Sequence, residues 1–217
     1  MLNIVFVSDY VCPYCLVAKE ALKAALEATG LEAEITWQPF ELTPEPKERV
    51  DTYHDETRRA HYQILVEPCR QLGLDMKLPP AVIPRPYTRK AFEGWYYACE
   101  KGRGKAYNDL VYRAYFIEEQ DIGETGVLSA LARRAGLEPA AFTAALESGA
   151  YSQREREAVD YARNVLKVQG VPSIYIDGER ITLREFTKEE MAGLLTEREE
   201  KHRGPGFMCT GDVCAIG

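Results

Sequence analysis

The hydrophobic pattern begins with the apolar run from Leu2 to Val7, the signature of a strand buried on both faces of a sheet. After a short turn the rhythm changes. Ala18, Ala21, Leu22 and Ala25 recur at helical spacing, Lys19, Glu20, Lys23 and Glu27 fall on other faces, and Gly30 stands where the helix ends. Residues 33–38 then alternate as a second strand and stop at Pro39. Strand, helix and strand make one βαβ unit, and its right-handed crossover lays the helix on one face of a parallel pair.

From Lys47 to Ala150 the pattern is helical throughout. Helices are expected over 54–66, 87–100, 104–119, 124–135 and 140–147, with Pro68 interrupting any longer one and the proline-rich stretch 78–86 as an extended connection. Ser152 and Glu155 have the form of a capping box, followed by Val159, Ala162 and Leu166 and closed by Gly170. A strand at 173–176, a hairpin turn at Asp177–Gly178 and an edge strand at 180–183 follow. Thr187, capped by Glu190, opens a last helix burying Met191, Leu194 and Leu195. The expected organisation is an α/β core formed by 1–44 and 151–200, an all-helical insertion at 45–150, and a flexible tail at 201–217.

Charge narrows the functional classes. With 27 basic against 34 acidic residues among 217, the net charge is −7, no basic stripe is present, and nucleic acid is not an expected partner. No apolar stretch approaches the ~18 residues of a membrane span. The chain enters its first strand without a charged leader or small-residue cleavage site, so a cytoplasmic protein is expected. Six cysteines in such a compartment read as catalytic thiols, metal ligands or core residues rather than a structural disulfide framework.

The chemistry is concentrated at Cys12-Pro13-Tyr14-Cys15. The pattern puts Cys12 at the start of the first helix, where unpaired N–H groups and the helix dipole stabilise a thiolate and make it a nucleophile. Cys15, one turn on, points to the same side and can attack a mixed disulfide formed at Cys12. Pro13 suits the first turn because its missing N–H costs no hydrogen bond there. Asp9 would oppose the dipole by its own negative charge. The same Cys-x-x-Cys spacing also serves half of a zinc site or two core cysteines.

A second stretch narrows the choice. Residues 169–178, Gln-Gly-Val-Pro-Ser-Ile-Tyr-Ile-Asp-Gly, resemble the loop and strand of thioredoxin-like proteins in which a cis-proline faces the cysteine pair. Together with Ser8-Asp9 before the motif, Pro39-Phe40-Glu41-Leu42, Ala114-Tyr115-Phe116 and Asp121-Ile122-Gly123, the chain resembles the DsbA family, specifically its cytosolic FrnE-like branch. The resemblance implies a thioredoxin-like core sheet with a large helical insertion. It implies thiol–disulfide exchange with Cys12 as nucleophile and Cys15 as resolving thiol, and substrate held by Pro13, Tyr14, Val171 and Pro172. Tyr14 is a departure, because FrnE-like proteins usually carry Trp there, and the intervening pair affects redox poise.

Protein disulfides are the expected substrates, reduced or isomerised rather than newly introduced in a reducing compartment, with glutathione or a thioredoxin-type protein as reductant. Neither a cofactor nor a resident metal is expected. Cys209 and Cys214 form a second close pair, expected to act as an auxiliary redox pair on the tail. Two other readings use the same residues. Cys12, Cys15, Cys209 and Cys214 have the ligand count of a zinc site, and the aromatic insertion could serve a chaperone-like binding module. Cys69 and Cys99 are expected in the helical core, and His54, His61 and His202 at surface or helix positions. The aromatic residues of the insertion read mainly as its core, with a few lining a groove beside Cys12.

Overall fold

The computed structural model describes residues 1–203. Four strands form one mixed sheet in the order β2-β1-β3-β4. β1 (Leu2–Ser8) lies inside it, parallel to β2 (Ala33–Pro39) with Phe6 opposite Trp37, and antiparallel to β3 (Ser173–Ile176) with Phe6 opposite Ile174. β4 (Glu179–Ile181) closes the other edge by an antiparallel hairpin. Asp177 and Gly178, at φ +50° and +81°, supply the left-handed turn that hairpin needs.

Asn3 breaks the apolar run. It is exposed, and its N–H donates to Asp177 Oδ1 at 2.9 Å while its carbonyl accepts from the Asp177 N–H at 2.8 Å. The strand is therefore buried on both faces only from Ile4 onward, and its polar start anchors the hairpin turn.

α1 (Pro13–Thr29) crosses from β1 to β2 as the βαβ pattern requires, with Pro13 in its first turn. It ends at Gly30, which at φ +66° returns its N–H to the Leu26 carbonyl at 2.9 Å. One stripe of the helix, Ala18, Ala21, Leu22 and Ala25, packs on Leu2, Ile4, Phe6, Ile174 and Ile176, with Met191 and Leu195 of α9 (Lys188–Arg203) completing that core. Its N-terminal turn belongs to a second core. Tyr10, Val11, Cys12, Cys15, Leu16 and Val17 join residues of the inserted helices, among them Leu65, Phe92, Tyr112 and Tyr115.

Those helices are α2 (Glu56–Gln63), α3 (Val66–Gln71), α4 (Arg89–Glu100), α5 (Gly104–Phe116), α6 (Thr125–Arg134) and α7 (Pro139–Glu147). The helix expected at 54–66 is shorter, ending at Gln63, and a separate short helix starts only at Val66. Pro68 sits inside the first turn of α3, where no intrahelical N–H is missed. α5 stops at Phe116, three residues early, and Glu119 turns to φ +52°. Lys19 of α1 ties the layers by a 2.6 Å ion pair with Asp109 of α5.

The capping box at Ser152 does not form. Tyr151 is the N-cap of α8 (Ser152–Asp160), Ser152 Oγ donates to Glu93 Oε1 at 2.7 Å, and Glu155 is wholly buried. Gly170 does not close that helix either. It widens into a π-helical turn, Tyr161–Val165, and reverses at Lys167 with φ +54°. At α9 the Glu190 N–H does bond Thr187 Oγ1 at 3.1 Å, but the Glu190 carboxylate caps the N–H groups of Arg184, Glu185 and Phe186 instead. Leu194 is only half-buried, and α9 runs to Arg203, past the expected start of the tail. Cys69 is buried as expected, whereas Cys99, expected in the core, is exposed; both are free thiols. Among the described residues no helix is long and apolar enough to cross a membrane.

Candidate active site

The turn between β1 and α1 places the cysteine pair. The Cys12 N–H donates to the Asp9 carbonyl at 3.1 Å, which closes the turn, and Cys12 then serves as N-cap with Cys15 N–H returning to its carbonyl at 3.1 Å. At about 3.6 residues per turn, the three-residue spacing brings the two side chains to one side. Cys15 Sγ lies within hydrogen-bonding reach of Cys12 Sγ. Cys12 keeps 3% of its surface exposed and Cys15 none, so Cys15 cannot be reached directly from solvent.

Far along the chain, the Val171–Pro172 peptide is cis, and it lies against the pair. Cys12 Sγ donates to the Val171 carbonyl at 3.4 Å. Two segments separated by the whole helical region thus meet at one sulfur. Beside them opens a cavity of about 290 Å³ lined by Tyr14, Val171, Pro172, Ile174, Arg180 and Phe186. Its walls mix apolar side chains with the Arg180 guanidinium and Thr182, which suits an extended polypeptide or a small anionic thiol.

Tyr14 is held at both ends. Its hydroxyl donates to the His61 carbonyl of α2 at 2.9 Å, and its ring packs on Phe186 with centroids 5.3 Å apart. Pro13 is buried beneath it as the first residue of α1. Of the predicted site residues, the structure brings together Cys12, Pro13, Tyr14, Cys15, Val171 and Pro172. Cys209 and Cys214 lie outside the described residues. Among those described, no group of three His, Cys, Asp or Glu side chains is arranged to hold a metal ion.

Burial pushes the Cys15 thiol well above the ordinary thiol range, and the neighbouring Cys12 sulfur pushes it further. Cys15 therefore rests as a thiol, and it must lose a proton before it can attack. Asp9 is fully buried beside it. Its Oδ2 accepts from the Leu42 N–H at 2.7 Å, and its charge acts on Cys15. Burial raises the Asp9 carboxyl against the opposing pull of the Leu42 N–H, Thr88 and Arg85.

Two residues missed by sequence reading lie behind Asp9. Glu41, at the end of the β2 exit, and Glu155 of α8 face one another within hydrogen-bonding reach, and Arg89 Nε sits 3.9 Å from Glu41 Oε1 and 4.0 Å from Glu155 Oε2. Desolvation pushes Glu41 up to about 7 and Glu155 up to about 8. Glu41 was visible in the stretch Pro39-Phe40-Glu41-Leu42, but only as part of a resemblance. Glu155 was masked by its place in an apparent capping box.

The DSBA-like thioredoxin domain family model matches residues 3–192. A relative from Bacillus subtilis (strain 168), the uncharacterized protein YwbO, is 35% identical over 195 residues, covering 89% of this chain and 96% of its own. The probable DsbA oxidoreductase SCO1869 from Streptomyces coelicolor superposes with a TM-score of 0.79 at 25% identity, over 100% of both chains. The cytosolic disulfide reductase DsbM from Pseudomonas aeruginosa shares the fold at a TM-score of 0.66 and 18% identity, over 91% of this chain and 98% of that one. A family match that takes in both the paired cysteines and the proline loop, carried by sequence likeness along nearly the whole chain, makes this protein a member of the DsbA family of thiol–disulfide oxidoreductases, with a thioredoxin-like fold.

Proposed function

We propose that the protein reduces or isomerises protein disulfides in the cytoplasm, as a member of the FrnE-like branch. The observation that carries this reading is the meeting of Cys12 Sγ with the Val171 carbonyl at 3.4 Å, beside a buried second thiol. In the reaction, the Cys12 thiolate attacks one sulfur of a substrate disulfide and expels the other as a thiolate, leaving a mixed disulfide. Cys15 loses its proton and attacks Cys12 Sγ, so that a Cys12–Cys15 disulfide forms and the second substrate thiolate leaves. The backbone at Val171 and Pro172 pairs with the extended substrate, while Pro13 and Tyr14 form the wall on the helix side. An external thiol returns the pair to its dithiol form.

Glutathione or a thioredoxin-type protein is the proposed reductant. DsbM, a cytosolic disulfide reductase by name, has also been solved with GSH. In this reading residues 1–44 and 151–200 carry the redox core, 45–150 form an insertion that shapes the substrate site, and Cys209 and Cys214 act as an auxiliary pair exchanging electrons with Cys12–Cys15.

Insulin-disulfide reduction during a redox titration tests the assignment. Cys12→Ser is expected to abolish turnover, Cys15→Ser to accumulate the mixed disulfide, and the double variant Cys209→Ser/Cys214→Ser to change rate or potential without abolishing activity. Wild type that exchanges disulfides at no poise would sink the proposal.

A further inference from the structure

The cavity beside Cys12 carries one charge. Among the described residues that line it, Arg180 of β4 alone is ionised, in a chain whose net charge is −7. A cation on an edge strand can serve merely to block pairing with another sheet. Arg180 is held differently. It stands opposite Tyr175 in the β3–β4 hairpin, and its side chain leans along the sheet toward the proline loop, where Nη2 donates to Ser173 Oγ at 3.1 Å. Ser173 is 1% exposed, and its own hydroxyl donates to the Gly170 carbonyl at 2.8 Å. One buried hydroxyl thus ties the guanidinium to the backbone next to Val171, whose carbonyl meets Cys12 Sγ at 3.4 Å.

That tie leaves the charge uncompensated. Ser173 Oγ is neutral, and it leaves the guanidinium N–H donors to spare. The nearby acids are engaged elsewhere. Asp177 accepts from the Asn3 N–H, Glu179 pairs with Arg198, and the Glu190 carboxylate caps the N–H groups of Arg184, Glu185 and Phe186. Among the described residues Arg180 forms no ion pair. A guanidinium fixed at the wall of a partly apolar cavity is complementary to a carboxylate, which it can grip through two parallel hydrogen bonds. Tyr14, Val171 and Phe186 offer apolar surface for the carbon stem between such a carboxylate and the reacting sulfur.

We propose that Arg180 is a specificity residue of the redox site, selecting disulfides that carry a carboxylate close to the reacting sulfur. The ligand is an acidic disulfide, either a small free compound or an acidic segment of a polypeptide. The exchange keeps its balance. The Cys12 thiolate attacks the nearer substrate sulfur, the new Cys12–sulfur bond forms, the substrate S–S bond breaks, and the other sulfur leaves with the electron pair as a thiolate. Arg180 takes no part in those bonds; it holds the acidic end of the half that stays attached to Cys12. The inference rests on the oxidoreductase reading and adds to it the class of disulfide.

Single-turnover oxidation of the pre-reduced full chain tests this, with closure of Cys12–Cys15 followed by acid quench, alkylation and peptide mass spectrometry. The probes are dithiodiglycolate, anionic at both ends, a peptide disulfide with Glu beside its Cys, neutral bis(2-hydroxyethyl) disulfide, and cationic cystamine. Each rate is read as the ratio of variant to wild type, which cancels the intrinsic reactivity of the probe. Arg180→Ala is expected to slow an acidic probe about tenfold more than the neutral one, and to slow cystamine least. Arg180→Lys is expected to recover part of that loss, and added salt to lower the wild-type rate with the acidic probe more than with the neutral one. A loss confined to dithiodiglycolate supports the site with a small free acid as its ligand, and a loss confined to the peptide supports it with a polypeptide. Equal ratios for acidic, neutral and cationic probes would overturn the role of Arg180 and leave the oxidoreductase reading standing. A wild type that closes its disulfide with none of the four would overturn both.

Discussion

Cys15 sits with no exposed surface between the Asp9 backbone and the Cys12 sulfur, and both its burial and that sulfur raise its thiol. A thiol held so far above its ordinary range is a poor nucleophile toward any reagent arriving from water. In a Cys12→Ser variant, Cys15 is therefore expected to react with iodoacetamide near neutral pH at least about tenfold more slowly than free cysteine. Alkylation followed peptide by peptide, so that Cys15 is separated from Cys69 and Cys99, measures it. The sequence made Cys12, Cys15, Val171 and Pro172 legible because each pair is compressed into a short stretch with its own local geometry. Glu41 and Glu155 were not legible for the opposite reason. They lie on β2's exit and on α8, and their meaning comes only from facing one another across the fold. Local spacing told the wrong story for Glu155, since Ser152 turns to Glu93 and leaves the supposed capping partner free to be buried.

α4, α5 and α7 approach closely at Gly94. A Cβ there would lie 2.4 Å from Tyr107 Oη and 2.6 Å from Phe142 Cζ, in the interior of the inserted helices. Gly94→Ala is expected to destabilise the fold by about 1–3 kcal/mol, because both obstacles are buried rings that have no room to retreat. Equilibrium unfolding in urea measures the loss. At this scale periodicity worked where an element buries one stripe. β1, α1 and β2 were all legible, as were α4, α6 and α7 to within a few residues. It failed where tertiary contacts reshape an end. The π-helical turn at Tyr161–Val165 has no counterpart in the pattern of Val159, Ala162 and Leu166, and the break between α2 and α3 falls at Ile64 and Leu65 rather than at Pro68.

Across the whole molecule, the carboxyls that titrate abnormally fall into two groups with opposite effects on stability. Exposed Glu67 and half-buried Glu118 are held below the ordinary range by Arg70 and Arg134, and their contribution is lost as pH falls from the ordinary carboxyl range through their folded values. Buried Glu41 and Glu155 are raised, so between the ordinary carboxyl range and about pH 8 the folded chain binds more protons than the unfolded one. Stability from that pair is full only below the ordinary carboxyl range and is lost progressively as pH rises from there through their folded values. The urea midpoint is accordingly expected to be higher at about pH 5.5 than at about pH 8.5, and Glu155→Gln to flatten the difference. A midpoint that rises steadily over this interval would contradict the burial of an acidic pair.

The apolar cluster around the cysteine motif has one more consequence. Tyr10, Val11, Leu16 and Val17 are covered by Leu65, Phe92, Tyr112, Tyr115 and their neighbours, not by the sheet. The helices between β2 and α8 are thus the roof of the reactive turn. A minimal redox module cannot be carved from this chain by trimming the helices away, because the cut would lay bare the greasy underside of the very turn that presents Cys12.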